Sequence, residues 1–197
     1  MVKNSSYWPE IIRFLSCQAT AGVAVVDAKG KPHAFNIWYA VDEEGRMYFV
    51  SSLDSAHSRY ILREPQVALC VYGQTDDPMH IHGVQLKGVC TLIPPVGKDG
   101  AGKGGWDHAW KTFTSRFPFV ARIDMWTQAV HEQCFFCITP GWARWLDNRK
   151  GFGFKVEVDV PLMGKGKVKK KGGVSERKAG GKKKVAVKGR RGGGKKK

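Results

Sequence analysis

Residues 33–73 read HAFNIWYAVDEEGRMYFVSSLDSAHSRYILREPQVALCVYG. The run opens in β-branched and aromatic residues, turns at DEEG and continues through RMYFVSS, which is hairpin spacing. Upstream, TAGVAVVD and the turn AKGK add a further strand, so residues 20–52 predict an antiparallel meander of three strands. Ser52 or Asp54 then supplies an N-cap, Ile61 and Leu62 an apolar pair, and Pro65 a stop, predicting a short helix after the third strand. QVALCVYG restores the strand pattern.

Outward from this run, YWPEIIRFLSCQ (7–18) spaces Trp8, Ile11, Ile12 and Leu15 as a helix, with Pro9 tolerated in its first turn. HIHGVQLKGVCTLI (80–93) sets Val84, Leu86 and Gly88 on one face of a strand and Gln85, Lys87 and Val89 on the other. PPVGKDGAGKGG (94–105) reads as a loop, and residues 106–130 as two short helices broken at Pro118. HEQCFFCITP, GWARWLDN and GFGFKVEVDV read as closing strands, with Phe152, Phe154, Val156, Val158 and Val160 alternating in the last. The elements predict a mainly β, α+β domain: a small antiparallel barrel with short peripheral helices.

Charge divides the chain. Residues 164–197 hold 16 of the 33 Lys and Arg and a single acid, Glu176, so they carry +15 of the net +16. Their remaining residues are Gly, Val, Ala and Ser175, with no aromatic side chain, and they are expected to be a disordered tail. All seven Trp, ten Phe and five Tyr lie in residues 1–163, the expected single domain. KVKKK, GKKKVAVK, GRR and GKKK suit nonspecific contact with nucleic-acid phosphates and contain nothing to read bases. The bland alternative is a solubilising tail that meets any polyanion. No run approaches a membrane span or a signal peptide, and five scattered Cys fit a reducing compartment, so a cytoplasmic protein is expected.

Three motifs read as structural. GKDGAGKG (97–104) ends in Gly104 where a phosphate loop needs Ser or Thr, and Pro94 and Pro95 interrupt its approach. Cys134 and Cys137, three apart on a strand, point to opposite faces. His80 and His82 would share a strand face and could meet a metal or haem iron, but no third ligand is evident, and no metal site is assigned. SSLDSAHSRY (51–60) carries more chemistry. Hydroxyls, N–H groups at a helix start and one guanidinium are what a phosphate monoester requires, although capping and a solvated helix face explain the same residues.

In element order, residues 33–73 followed by GVQLKGVCTLI resemble the pyridoxamine 5'-phosphate oxidase-like FMN-binding split-barrel family over residues 8–160. The ending GWARWLDNRKGFGFKVEVDV and the pairing of HSR with GVQLKG are more similar to its YhbP-like branch. The resemblance implies a six-stranded antiparallel split barrel, a homodimer with FMN at the subunit interface, and an FMN-dependent oxidoreductase of unknown small-molecule substrate. It places Asn36, Ile37, Trp38 and Tyr39 along the flavin ring and ribityl chain, Ser51, Ser52, His57, Ser58 and Arg59 at the phosphate, and Gln85 at the flavin edge. The pathway oxidases carry an Arg-Lys pair where this chain has Ala56 and His57, which leaves Arg59 as the main cation. Their substrate-binding Arg and His have no counterpart here, which argues against pyridoxamine phosphate oxidation. The other readings are a nucleic-acid-associated dimer whose barrel is only a platform, and a haem-handling relative using His80 and His82.

Overall fold

The computed structural model describes residues 5–94, 96, 100, 102–158 and 160. The basic tail and Gly97 of the phosphate-loop-like segment lie outside the described residues. Within them, seven strands form one antiparallel sheet: β1 (Thr20–Val26), β2 (Pro32–Val41), β3 (Met47–Ser51), β4 (Gln66–Tyr72), β5 (His82–Ile93), β6 (Cys134–Asp147) and β7 (Lys155–Val158). Neighbours run β3-β2-β1-β4-β5-β6-β7, and β3 also pairs with β6. That last pairing closes six strands into a barrel and leaves β7 as an appendage on β6. Closure removes the exposed ladder edges of an open sheet.

Alternation decides which side chains fill the barrel. Val23 and Val25 of β1, Ile37 and Tyr39 of β2, Met47 and Phe49 of β3, Leu69 of β4, Leu86 of β5 and Trp145 of β6 all point inward and are buried. Helix α1 (Trp8–Cys17) adds Trp8, Ile11 and Leu15, and α2 (Ala56–Arg63) adds Ile61. A second core lies outside the barrel, where Ala40, Tyr48, Phe135 and Cys137 meet Ala109, Phe113, Phe117, Val120 and Val130. These belong to α3 (Lys103–Arg116), α4 (Pro118–Arg122) and α5 (Asp124–His131), together with Phe117 between α3 and α4. The three helices therefore clothe the outside of β2, β3 and β6. The outward residues of β1, of β4 and of β5 before Ile93 remain uncovered by these three helices.

Several local expectations change. The N-cap of α2 is Ser55, not Ser52 or Asp54: its backbone is extended and its hydroxyl accepts from the Ser58 N–H. Residues 103–131 form three helices, not two, because Ile123 also interrupts the helical path in an extended conformation. The two strands expected at 131–148 are one continuous β6, since Pro140 and Gly141 sit at a bulge where the register against β5 shifts between Lys87 and Gly88. A bulge tolerates a proline that a regular ladder would not. Among the described residues of 152–160 the strand is Lys155–Val158, because Gly151 and Gly153 take positive φ and turn the chain before it. Phe152 is consequently 76% exposed.

Candidate functional site

Where β3 ends, the chain makes a turn and enters α2, and this junction gathers three side chains around one hydroxyl. Ser51 Oγ lies 2.8 Å from His57 Nε2 and 3.3 Å from Ser55 Oγ, and accepts from Ser58 Oγ at 3.2 Å. Ser55 donates to Ser58 Oγ at 2.7 Å, and Ser58 is fully buried. Ser52 Oγ accepts the Asp54 N–H at 3.1 Å, while the exposed Arg59 reaches back to donate to the Asp54 carbonyl. The expected phosphate residues are thus brought together on one turn. Burial, then the charge of nearby His33, lowers the His57 pKa, so its imidazole is neutral and the cation of the cluster is Arg59.

His57 also touches the barrel. Its ring stacks on Phe35 of β2 with centroids 4.1 Å apart; Phe35 packs against the barrel core, while its neighbours Ala34 and Asn36 line an open cleft of about 750 Å³ on the outer face of the sheet. The register arranges the outward residues of that cleft in two parallel rows. One row runs Asn36, Gly22, Cys70, Gln85, Arg144, Glu157 across β2, β1, β4, β5, β6 and β7. The other runs Ala34, Ala24, Ala68, Lys87, Trp142. Small residues make a flat floor at the β1 side, and charged and aromatic residues stand at the β6–β7 side. An added Cβ at Gly22 would reach 3.8 Å from Asn36 Oδ1, and so would stand on the floor itself.

The flavin-strand residues divide by the two-residue period of β2. Asn36 opens onto the cleft, and Gln85 lies in the same row three strands away. Ile37 and Tyr39 face the barrel core, where the Tyr39 hydroxyl donates to the Leu15 carbonyl at 2.9 Å and burial pushes its pKa far above the usual range. Trp38 faces outward but beneath the helices, 3.9 Å from Phe117 and 5.0 Å from Phe113 between centroids. Phe35, Ser55, Lys87, Trp142 and Arg144 were not singled out by sequence. The spacing of two from Gln85 to Lys87 and from Trp142 to Arg144 places each pair on one face, but only the bulged β5–β6 register sets the pairs opposite each other.

His80 and His82 do not share a strand face. Pro78–His80 is a 3-10 turn capped by Asp77, whose carboxylate lies 2.6 Å from His80 Nδ1, and His82 opens β5 with its Nδ1 2.7 Å from the His80 carbonyl. Among the described residues no group of three or more His, Cys, Asp or Glu could hold a metal ion. Cys134 packs with the barrel core and Cys137 with the helical core, on opposite faces of β6. Among the described residues no helix is long and apolar enough to cross a membrane.

A family model described as pyridoxamine 5'-phosphate oxidase matches residues 7–125. No curated protein sequence matches the chain. Among solved structures, a conserved hypothetical protein from Mycobacterium tuberculosis is 20% identical with a TM-score of 0.60, covering 76% of this chain and 88% of its own. A pyridoxamine 5'-phosphate oxidase-related, FMN-binding protein from Nostoc punctiforme is 14% identical with a TM-score of 0.53, over 79% and 93%. A haem storage protein from Vibrio cholerae is 21% identical with a TM-score of 0.53, over 67% and 88%. At these identities the likeness is one of fold.

Proposed function

We propose, from the premise that this chain belongs to the pyridoxamine 5'-phosphate oxidase family, that it is an FMN-binding flavoprotein acting as an oxidoreductase on a small molecule. The observation that carries the reading is the phosphate-suited cluster of hydroxyls where β3 enters α2, on a barrel whose outer sheet face carries a flat-floored cleft. A phosphate monoester needs donors and one positive charge. Ser51 and Ser52 hydroxyls, first-turn N–H groups of α2 and Arg59 provide them, since Arg59 has guanidinium donors beyond the one given to Asp54. A planar tricyclic ring needs a floor without bulk and polar groups at its margin. Gly22, Ala24, Ala34 and Ala68 fit the first need, and the amides of Asn36 and Gln85 the second.

When bound, the flavin supplies hydride or electron transfer at its ring. The chain's part is then positional. Neutral His57 holds Ser51 in place, Ser55 orients Ser58, and Asn36 and Gln85 donate to or accept from polar atoms at the ring margin. No side-chain nucleophile is required. The outward face of β1, β4 and β5 leaves Tyr72 65%, Val26 37% and Val89 36% exposed, which supports burial of this face in a homodimer.

The test is the visible spectrum of the purified full-length protein, followed by titration with FMN. Flavin bands, or saturable quenching of FMN fluorescence, are expected; neither bands nor binding would sink the reading, and a Soret band would turn it toward haem. Residues 164–197 carry a separate role in this proposal, as a nonspecific polyanion-binding tail, on the strength of their +15 charge. Its DNA affinity should fall by about 0.9 log units per contacted phosphate for each decade of salt and vanish on deletion of 164–197.

A further inference from the structure

At the β6–β7 end of the cleft, four outward side chains form a corner that the flavin reading does not use. Arg144 and Glu157 face each other across β6 and β7 and pair at 2.6 Å. Trp142 stands two residues before Arg144, opposite Lys87 of β5. Lys87 Nζ lies 4.9 Å from the Trp142 ring centre, and Arg144 Cζ lies 5.3 Å from it. Two cations thus flank one indole, and a single carboxylate answers them. Among the described residues Lys87 has no ion pair within 4 Å. The hydrogen bond from Arg144 holds the Glu157 carboxyl below its usual range, helped by one from Trp142 and by the charges of Arg144 and Lys87. The corner is therefore built to hold a carboxylate, and at present it holds the protein's own.

We infer that this corner selects the substrate: a planar aromatic carboxylate whose anionic group takes Lys87 and Arg144 and whose ring lies against Trp142. Glu157 acts as the resident surrogate for that carboxylate and yields Arg144 when the ligand enters. The inference rests on the reading of this cleft as the reaction site, because it names the class of molecule that site takes. The chemistry of the lining supports it. An indole flanked by cations offers both a stacking surface and charge-assisted hydrogen bonds. Glu157 sits on a four-residue appended strand outside the barrel, so its side chain can move without disturbing barrel closure.

The test is calorimetric titration of full-length protein with benzoate and with its neutral isostere benzamide, run with and without added FMN. Benzoate should bind at least about ten-fold more tightly than benzamide, as expected for hydrogen bonds to a charged group. Lys87→Met should weaken benzoate by roughly ten-fold and leave benzamide unchanged, whereas Glu157→Gln should tighten benzoate several-fold by releasing Arg144. Equal binding of the two probes, an unaltered affinity in Lys87→Met, or no benzoate binding would each overturn the inference. A protein that takes no FMN yet binds benzoate through Lys87 loses the flavin reading alone. One that takes FMN and ignores benzoate loses only this inference.

Discussion

Phe35 lies flat on His57, with ring centroids 4.1 Å apart and planes within 9°. The contact fastens the first turn of α2 to β2, and it does so beside Asn36, which opens onto the cleft. His33 and Tyr60 extend the contact, with centroids 5.2 Å apart in an edge arrangement.

Arg59 is the cation of the hydroxyl cluster, and it is exposed, so its loss leaves the fold intact. Arg59→Ala should weaken FMN by about 1.5–3 kcal/mol, or roughly ten- to a hundred-fold, as measured by quenching of flavin fluorescence. Affinity within a factor of two of the unsubstituted protein would remove Arg59 from the phosphate site.

Ser55 both caps α2 and positions Ser58. Ser55→Ala should cost about 1 kcal/mol in a urea titration through the lost cap. Because Ser58 then loses its orienting partner, FMN affinity should fall as well, whereas Ser55→Asp should restore the cap but set a negative charge beside the phosphate and so leave binding weak.

Asp42 anchors the β2–β3 turn with its carboxylate nearly sealed from solvent, accepting from Arg46 Nε at 2.7 Å and the Tyr48 hydroxyl at 3.1 Å, with His108 Nε2 at 3.2 Å. Asp42→Ala strands these partners and should cost about 3 kcal/mol, lowering Tm by roughly 10 °C. Burial alone would raise its pKa, but hydrogen bonds from the Arg46 side chain and backbone and from His108 outweigh it and hold the group below 3.8. The unfolded chain therefore binds the proton first. This stabilisation is complete above pH 3.8 and is lost as pH falls through the lower folded value.

His57 acts in the same direction at milder acidity. Burial and the His33 charge lower its pKa from 6.5, so its contribution is whole above that pH and declines below it. The urea midpoint should begin to fall below pH 6.5, and His57→Phe, which keeps an aromatic ring for Phe35, should remove that first step. An identical pH profile in the variant would assign the step to another group.

Gly88 sits at the β5–β6 bulge, where an added Cβ would stand 2.4 Å from the Thr139 carbonyl oxygen. The obstacle is backbone and cannot swing aside. Gly88→Ala should cost about 1–3 kcal/mol by denaturation and, by moving the register, misalign Lys87 with Trp142.

Much of this was legible along the chain. Alternation assigned Val84, Leu86 and Gly88 to one face of β5 and Gln85, Lys87 and Val89 to the other, as observed. The serines, His57 and Arg59 were legible because they are close in sequence and surround one helix start. Helix breaks were harder: the extended backbone at Ile123 has no proline or glycine to announce it.

Local and periodic features can be read along the chain: a β-rich domain, a meander, a hydroxyl-rich turn before a helix and a tail holding nearly all the net charge. The company those residues keep is a matter of the closed barrel. Asn36 and Gln85 share a row because β1 and β4 intervene in register, and Arg144 meets Glu157 because β7 lies against β6. The two-residue period fixes which face a side chain takes, but register between strands distant in sequence depends on closure and on one bulge. Those are properties of the folded barrel and of no single segment.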